Sequence, residues 1–159
     1  MFEPEIKQAQ EEAVAFIEMC GPYDRIPEGC GRLYSWMRAH GLTPAHDKMP
    51  AAVFLTMPEE TPEEFALWEL RAPLASAAAE KPCDETGVGI KRTEACRVAS
   101  VVHKGSYGSV GPSYDALTAW IAENGYSIAG PPMEVYYSDS DETAPEDYLT
   151  EIRFPVADA

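Results

Sequence analysis

In PMEVYYSD, residues 132–139, Glu134 has only apolar and aromatic neighbours from Pro132 to Tyr137, and stands two positions from Tyr136. A second carboxylate, Glu151, lies in YLTEIRFPV, two positions from Arg153, and Tyr107 stands two positions after Gly105 in HKGSY. A carboxylate among tyrosines supports two kinds of chemistry. As an anion it attracts a cation whose flanks stack on aromatic rings, each ring contributing about 0.5–2 kcal/mol. As an acid of raised pKa it exchanges protons with a bound electrophile.

The elements that must position these groups follow from the period of the apolar residues. Side chains alternate along a strand, so Met133, Val135 and Tyr137 face one way and Glu134, Tyr136 and Ser138 the other. In YLTEIRFPV, Ile152 and Phe154 suit a helix-facing core while Glu151 and Arg153 share the opposite face. A buried carboxylate is costly unless it is hydrogen-bonded or paired. The same spacing fits a solvated sheet face on which Arg153 pairs with the glutamates.

VAFIE (14–18) and VASVVH (98–103) read as strands. Tyr114, Leu117 and Ile121 recur at helical spacing between Pro112 and Gly125, and Pro27, Cys30, Leu33, Met37 and Gly41 repeat the pattern earlier. AAVFLT with FALWELRAPL, and MEVYYS with YLTEIRFPV, add two strands after each helix, joined by acidic Pro-containing loops. The two stretches are related by a fixed offset. Gly21 and Gly105 lie 105 − 21 = 84 positions apart, and the same offset pairs Tyr23 with Tyr107, Leu33 with Leu117 and Trp36 with Trp120. Downstream an offset of 151 − 69 = 82 pairs Glu69 with Glu151, Val53 with Val135 and Phe54 with Tyr136. The expected fold is α+β: duplicated β-α-β-β lobes of about residues 3–75 and 87–156, antiparallel sheets with helices on one face, pseudo-twofold symmetry, and a linker at 76–86.

Composition narrows the function classes. The formal charge of −15 over 159 residues repels a phosphate backbone, so direct nucleic-acid binding is not expected. No apolar run suits a membrane span, and MFEPEIKQAQEE lacks the basic-then-apolar pattern of a signal peptide, so no membrane association and a cytoplasmic location are expected. Cys20, Cys30, Cys83 and Cys96 form no CxxC pair, and His40, His46 and His103 are not spaced as ligands. Neither a disulfide framework, a metal nor a cofactor is expected.

HKGSY, LTAWIAENGY, GPPMEVYYSDSDET and LTEIRFPV, in this order and spacing, resemble the GyrI-like effector-binding fold. That fold occurs in multidrug-sensing transcription regulators and in stand-alone proteins such as a bacterial gyrase inhibitor. The resemblance covers essentially the whole chain. It implies a pocket between two lobes for hydrophobic, cationic or aromatic compounds, and a buried glutamate on the strand matching MEVYY, which is Glu134. It brings no helix-turn-helix, so a stand-alone binding protein is expected.

The ligand-binding candidates are therefore Glu134, Tyr136, Tyr107 and Glu151, with Trp120, Phe54 and Trp68 as further walls. The tryptophans fit equally a helix or strand packed on its own sheet. Three functions are weighed: small-molecule binding; hydrolysis of reactive cyclopropane-type electrophiles, with Glu134 and Glu151 catalytic; and a protein-interaction module acting on gyrase or a regulator.

Overall fold

The computed structural model describes residues 2–138 and 142–159; Asp139, Ser140 and Asp141 of the second acidic loop lie outside the described residues. In chain order the elements are β1 (Glu5–Ala9), β2 (Glu12–Cys20), α1 (Ile26–Ala39), β3 (Ala51–Phe54), β4 (Leu67–Pro73), β5 (Val88–Thr93), β6 (Cys96–Lys104), α2 (Gly111–Glu123), β7 (Tyr126–Ile128), β8 (Met133–Tyr136) and β9 (Leu149–Asp158). Within each of the two parts of the sheet described below, the strand pairings are antiparallel. The class is α+β, as expected.

The chain divides into two compact units, one of Glu11–Glu94 and the other of the residues up to Gln10 with Ala95–Ala159. This differs from the contiguous lobes 3–75 and 87–156. The opening strand β1 pairs with β6, and β5 pairs with β2. Folding β1 back onto β2 would need a two-residue hairpin turn with positive φ, and Gln10-Glu11 supply neither Gly nor Asn; Glu94-Ala95 fail likewise between β5 and β6. Both strands were missed as strands because EIKQA and VGIKRT are too polar to stand out from loop. Segment 76–86 is also more than a linker: Lys81 and Ile90 exchange backbone hydrogen bonds, and Asp84 accepts the Trp36 indole N–H at 2.7 Å.

The N-terminal unit orders its sheet β5-β2-β4-β3, with Leu33, Trp36 and Met37 of α1 buried. In the C-terminal unit the order is β1-β6-β9-β8, and the far end of β9 carries β7. Leu117 and Ile121 of α2 pack on Ala99, Val101, Ile152, Phe154 and Val156. Burying each large aliphatic of this set contributes about 1.5–3 kcal/mol. Both helices end at a glycine in the left-handed region, Gly41 at φ 69° and Gly125 at φ 81°, as the pattern predicts.

Each unit buries a glutamate in an ion cluster. Glu69 receives Arg71 at 2.5 Å and Lys91 at 2.6 Å. Glu151 receives Lys7 at 2.5 Å and Arg153 at 2.7 Å, and accepts hydrogen bonds from Ser100 at 2.7 Å and Tyr137 at 2.5 Å. Burial alone would raise the Glu151 carboxyl, but donation from Arg153, Lys7, Tyr137 and Ser100 outweighs it and brings the pKa down to about 2. Lys7 thereby ties β1 to its unit.

Two outcomes follow for stability. A Cβ on Gly89 would stand 2.6 Å from the Lys81 carbonyl oxygen and 3.0 Å from the Cys83 nitrogen, both backbone atoms, so Gly89→Ala should destabilise by about 1–3 kcal/mol in urea unfolding. Glu151 is depressed in the fold, so its contribution is full above the ordinary carboxyl value of 4.5 and is lost as pH falls through about 2. Glu151→Gln should cost about 2 kcal/mol at pH 7 and flatten the acid limb of a stability-against-pH curve; an unchanged melting point and curve would show that the cluster contributes nothing.

Candidate functional site

The site grows from the pairing of β8 with β9. In register, Glu134 lies opposite Ile152 and Tyr136 opposite Thr150, so these four side chains share the face that α2 covers. Val135 lies opposite Glu151, on the other face. The two candidate glutamates therefore stand back to back, and a one-residue difference in position determines the surroundings of each.

Glu134 is 9% exposed. Its carboxylate accepts a hydrogen bond from the Tyr114 hydroxyl at 2.6 Å and another from the Tyr136 hydroxyl at 3.2 Å. Burial raises its pKa, against the opposing pull of Tyr114, Tyr136 and His103. Burial and the neighbouring Glu134 push the Tyr136 phenol well above its ordinary value, so it remains a donor. Among the described residues no Lys or Arg comes within ion-pair distance of Glu134. That separates it from Glu69 and Glu151, buried to 3% and 1% exposure and each held by two cations.

Two rings meet the carboxylate, and further rings pack against those two. Tyr114 comes from the first turns of α2 and also meets Phe154 edge-on at 6.0 Å. Tyr107 sits in the turn Tyr107–Ser109, edge-on to Tyr136 at 5.6 Å and stacked on Tyr148 at 4.8 Å. That turn is held from below by His103, whose Nδ1 meets the Ser113 hydroxyl at 2.8 Å and whose Nε2 meets the Ser109 hydroxyl at 3.1 Å. His103 thus positions Tyr107 through the turn. The arrangement can hold a flat cation against a fixed negative charge.

Of the expected residues, the structure brings Glu134, Tyr136 and Tyr107 together. Trp120 is half-buried and packs on the α2 core. Phe54 and Trp68 belong to the N-terminal unit: Trp68 is wholly buried with its indole donating to the Gly21 carbonyl at 2.9 Å, and Phe54 meets Tyr23 edge-on at 5.4 Å. Tyr114, Tyr148 and His103 join the site without having been singled out for it. Their signals were present: Tyr114 leads the stripe continued by Leu117 and Ile121, and Tyr148 shares strand parity with Ile152. No group of three His, Cys, Asp or Glu that could hold a metal occurs among the described residues. No helix among the described residues is long and apolar enough to cross a membrane.

Comparison with known proteins bears on the whole chain. The C-terminal domain of EcmrR superposes with a TM-score of 0.85 at 22% identity, covering 100% of this chain and 99% of that one. Against the EcmrR chain in its DNA complex the TM-score is 0.84 at 22% identity over 99% of this chain, which spans 58% of that chain's length. A hydrolase from Listeria innocua gives 0.74 at 16% identity, covering 98% and 92%. SAV2435 bound to tetraphenylphosphonium gives 0.62 at 14% identity, covering 98% and 94%. At these identities the likeness is one of fold. No curated protein sequence matches the chain. The family described as the GyrI-like small molecule binding domain matches residues 2–157, and the chain belongs to that family.

Proposed function

We propose that the chain binds lipophilic aromatic cations at Glu134, between the rings of Tyr107, Tyr114 and Tyr136. One observation carries this reading: Glu134 is a buried carboxylate whose hydrogen-bond donors are neutral tyrosines, while the other buried glutamates hold protein cations. A desolvated anion is destabilised by burial until a cation reaches it. The tetraphenylphosphonium held by SAV2435 is a cation of this chemistry and supports the reading. The acidic chain favours cations at longer range as well.

A second reading gives Glu134 a catalytic part. Its raised carboxyl suits a proton donor to a strained electrophile held by the rings, and the likeness to a hydrolase supports this. Glu151 takes no part in it, since it lies on the opposite face of the sheet. In this case Glu134→Gln lowers product formation, followed by mass spectrometry, by about 10² to 10⁴-fold.

For binding, titration of tetraphenylphosphonium and a matched lipophilic anion should show preference for the cation, and Glu134→Gln should weaken the cation by about 1–3 kcal/mol. The sign of the pH effect follows from the raised pKa. The carboxylate is lost on acidification at a higher pH than an ordinary carboxyl of 4.5, so cation affinity falls off already above that value. The unliganded fold carries the cost of ionising Glu134 as pH rises through that window, so Glu134→Gln should leave apo stability equal or higher at pH 7. Anion preference, or cation affinity unchanged in the variant, would remove Glu134 from the role.

A further inference from the structure

One row of side chains beside Glu134 is built differently in the two units. In the N-terminal unit Trp68 of β4 lies in register between Met19 of β2 and Phe54 of β3. In the C-terminal unit the corresponding strands place Thr150 of β9 between His103 of β6 and Tyr136 of β8. The central member shrinks from an indole to a two-carbon side chain. Trp68 is wholly buried and satisfied, its ring N–H on the Gly21 carbonyl. Thr150 is 1% exposed, and its Oγ1 is the one buried side-chain polar atom without a hydrogen-bond partner among the described residues. An orphaned buried hydroxyl costs about 1–3 kcal/mol and calls for a partner the protein does not supply.

The position of Thr150 indicates what that partner accompanies. Thr150 is the diagonal same-face neighbour of Glu134, about 7–8 Å away between strands, which is the span of a small aromatic ring system. Tyr136 lies directly across from it, and Tyr148, in extended backbone just ahead of β9, is two residues before it in the chain. Tyr107 touches both of those rings and is 43% exposed.

We propose that Thr150 is the specificity-determining residue of a ring subsite next to Glu134, and that ligands of this site pair a positive charge with a flat aromatic group whose N–H or O–H bonds to Thr150. The ring takes the place in the row that the N-terminal unit fills with its own Trp68. This inference rests on the cation-binding reading of Glu134 and adds a requirement to it: charge and apolar bulk alone satisfy the carboxylate but leave the hydroxyl orphaned.

The test uses three probes on the full chain by titration calorimetry: tryptamine, its ring-N-methyl derivative, and tetraphenylphosphonium. Wild type should bind tryptamine about 10-fold more tightly than the methylated ring, the worth of one good hydrogen bond to a buried group. Thr150→Val, which keeps the shape without the hydroxyl, should erase that gap and leave the melting temperature equal or raised. Thr150→Trp should weaken both indoles by at least about 10-fold by filling the row as Trp68 does; should it fail to fold, the valine comparison decides. Equal binding of the two indoles by wild type, or a gap that survives in Thr150→Val, overturns the proposal. Tetraphenylphosphonium bound in a Glu134-dependent manner with no such discrimination leaves the cation reading standing and this one refuted. Absence of binding by all three cations refutes both.

Discussion

A strand turns successive side chains to opposite faces, and on β8 and β9 this parity gives two glutamates different surroundings. Glu151 shares its face with Ser100, Tyr137, Arg153 and Lys7, and becomes the centre of an ion cluster that helps hold β1, β6 and β9 together. Glu134 faces α2, where a helix stripe of Tyr114, Leu117 and Ile121 leaves it two phenolic hydroxyls and no protein cation among the described residues. Hydrogen bonds from neutral donors solvate a carboxylate only in part, which is why burial raises the Glu134 pKa in spite of them. The site's chemistry thus depends on a register that hydrophobic packing of Ile152 and Phe154 fixes, because a one-residue slip would expose that pair and bury Arg153.

Much of this was legible before any coordinates. The helices announced themselves through period and a terminal glycine, and the longer strands through β-branched runs, since both signals are local. Alternation alone separated Glu134 from Val135, and it placed Ile152 and Phe154 on the core side. The edge strands β1 and β5 were not legible, for an edge strand needs apolar residues on one side only and EIKQA reads as loop. Their exchange between units depends on turn chemistry at Gln10-Glu11 and Glu94-Ala95, where what matters is a residue type that is missing.

Within the site, the misses have a different cause. His103 sits in a strand whose neighbours are valines, and its role is to hold Ser109 and Ser113 so that the turn carrying Tyr107 has a fixed origin. That contact joins a strand end to a turn and a helix start, three places no single period connects. Phe54 points toward the site in the sequence by its offset of 82 from Tyr136, and Trp68 by its place beside Glu69, yet an offset conveys position within a unit and not membership of one site. Trp68 shows the difference, because its indole is spent on the Gly21 carbonyl and on filling its own unit.

The position matching Glu134 in the N-terminal unit is 134 − 82 = 52, an alanine with no exposed surface. Ala52 and Trp68 make that unit's helix-facing row an apolar core, with the acid kept at Glu69 on the other face, where Arg71 and Lys91 neutralise it. The C-terminal unit also has a buried ion cluster, at Glu151 with Lys7 and Arg153 and with hydrogen bonds from Ser100 and Tyr137, but on its helix-facing side it carries glutamate and threonine at the positions offset by 82 from Ala52 and Trp68. Both differences set polar groups that burial penalises where the other unit has satisfied packing, and each by itself lowers stability. Such losses persist where the structure around them is firm enough to carry them, and the Glu151 cluster on the opposite face is part of that support. A sheet with a neutralised ion cluster on one side can therefore carry either an apolar row or buried polar groups on its helix side without a change of register.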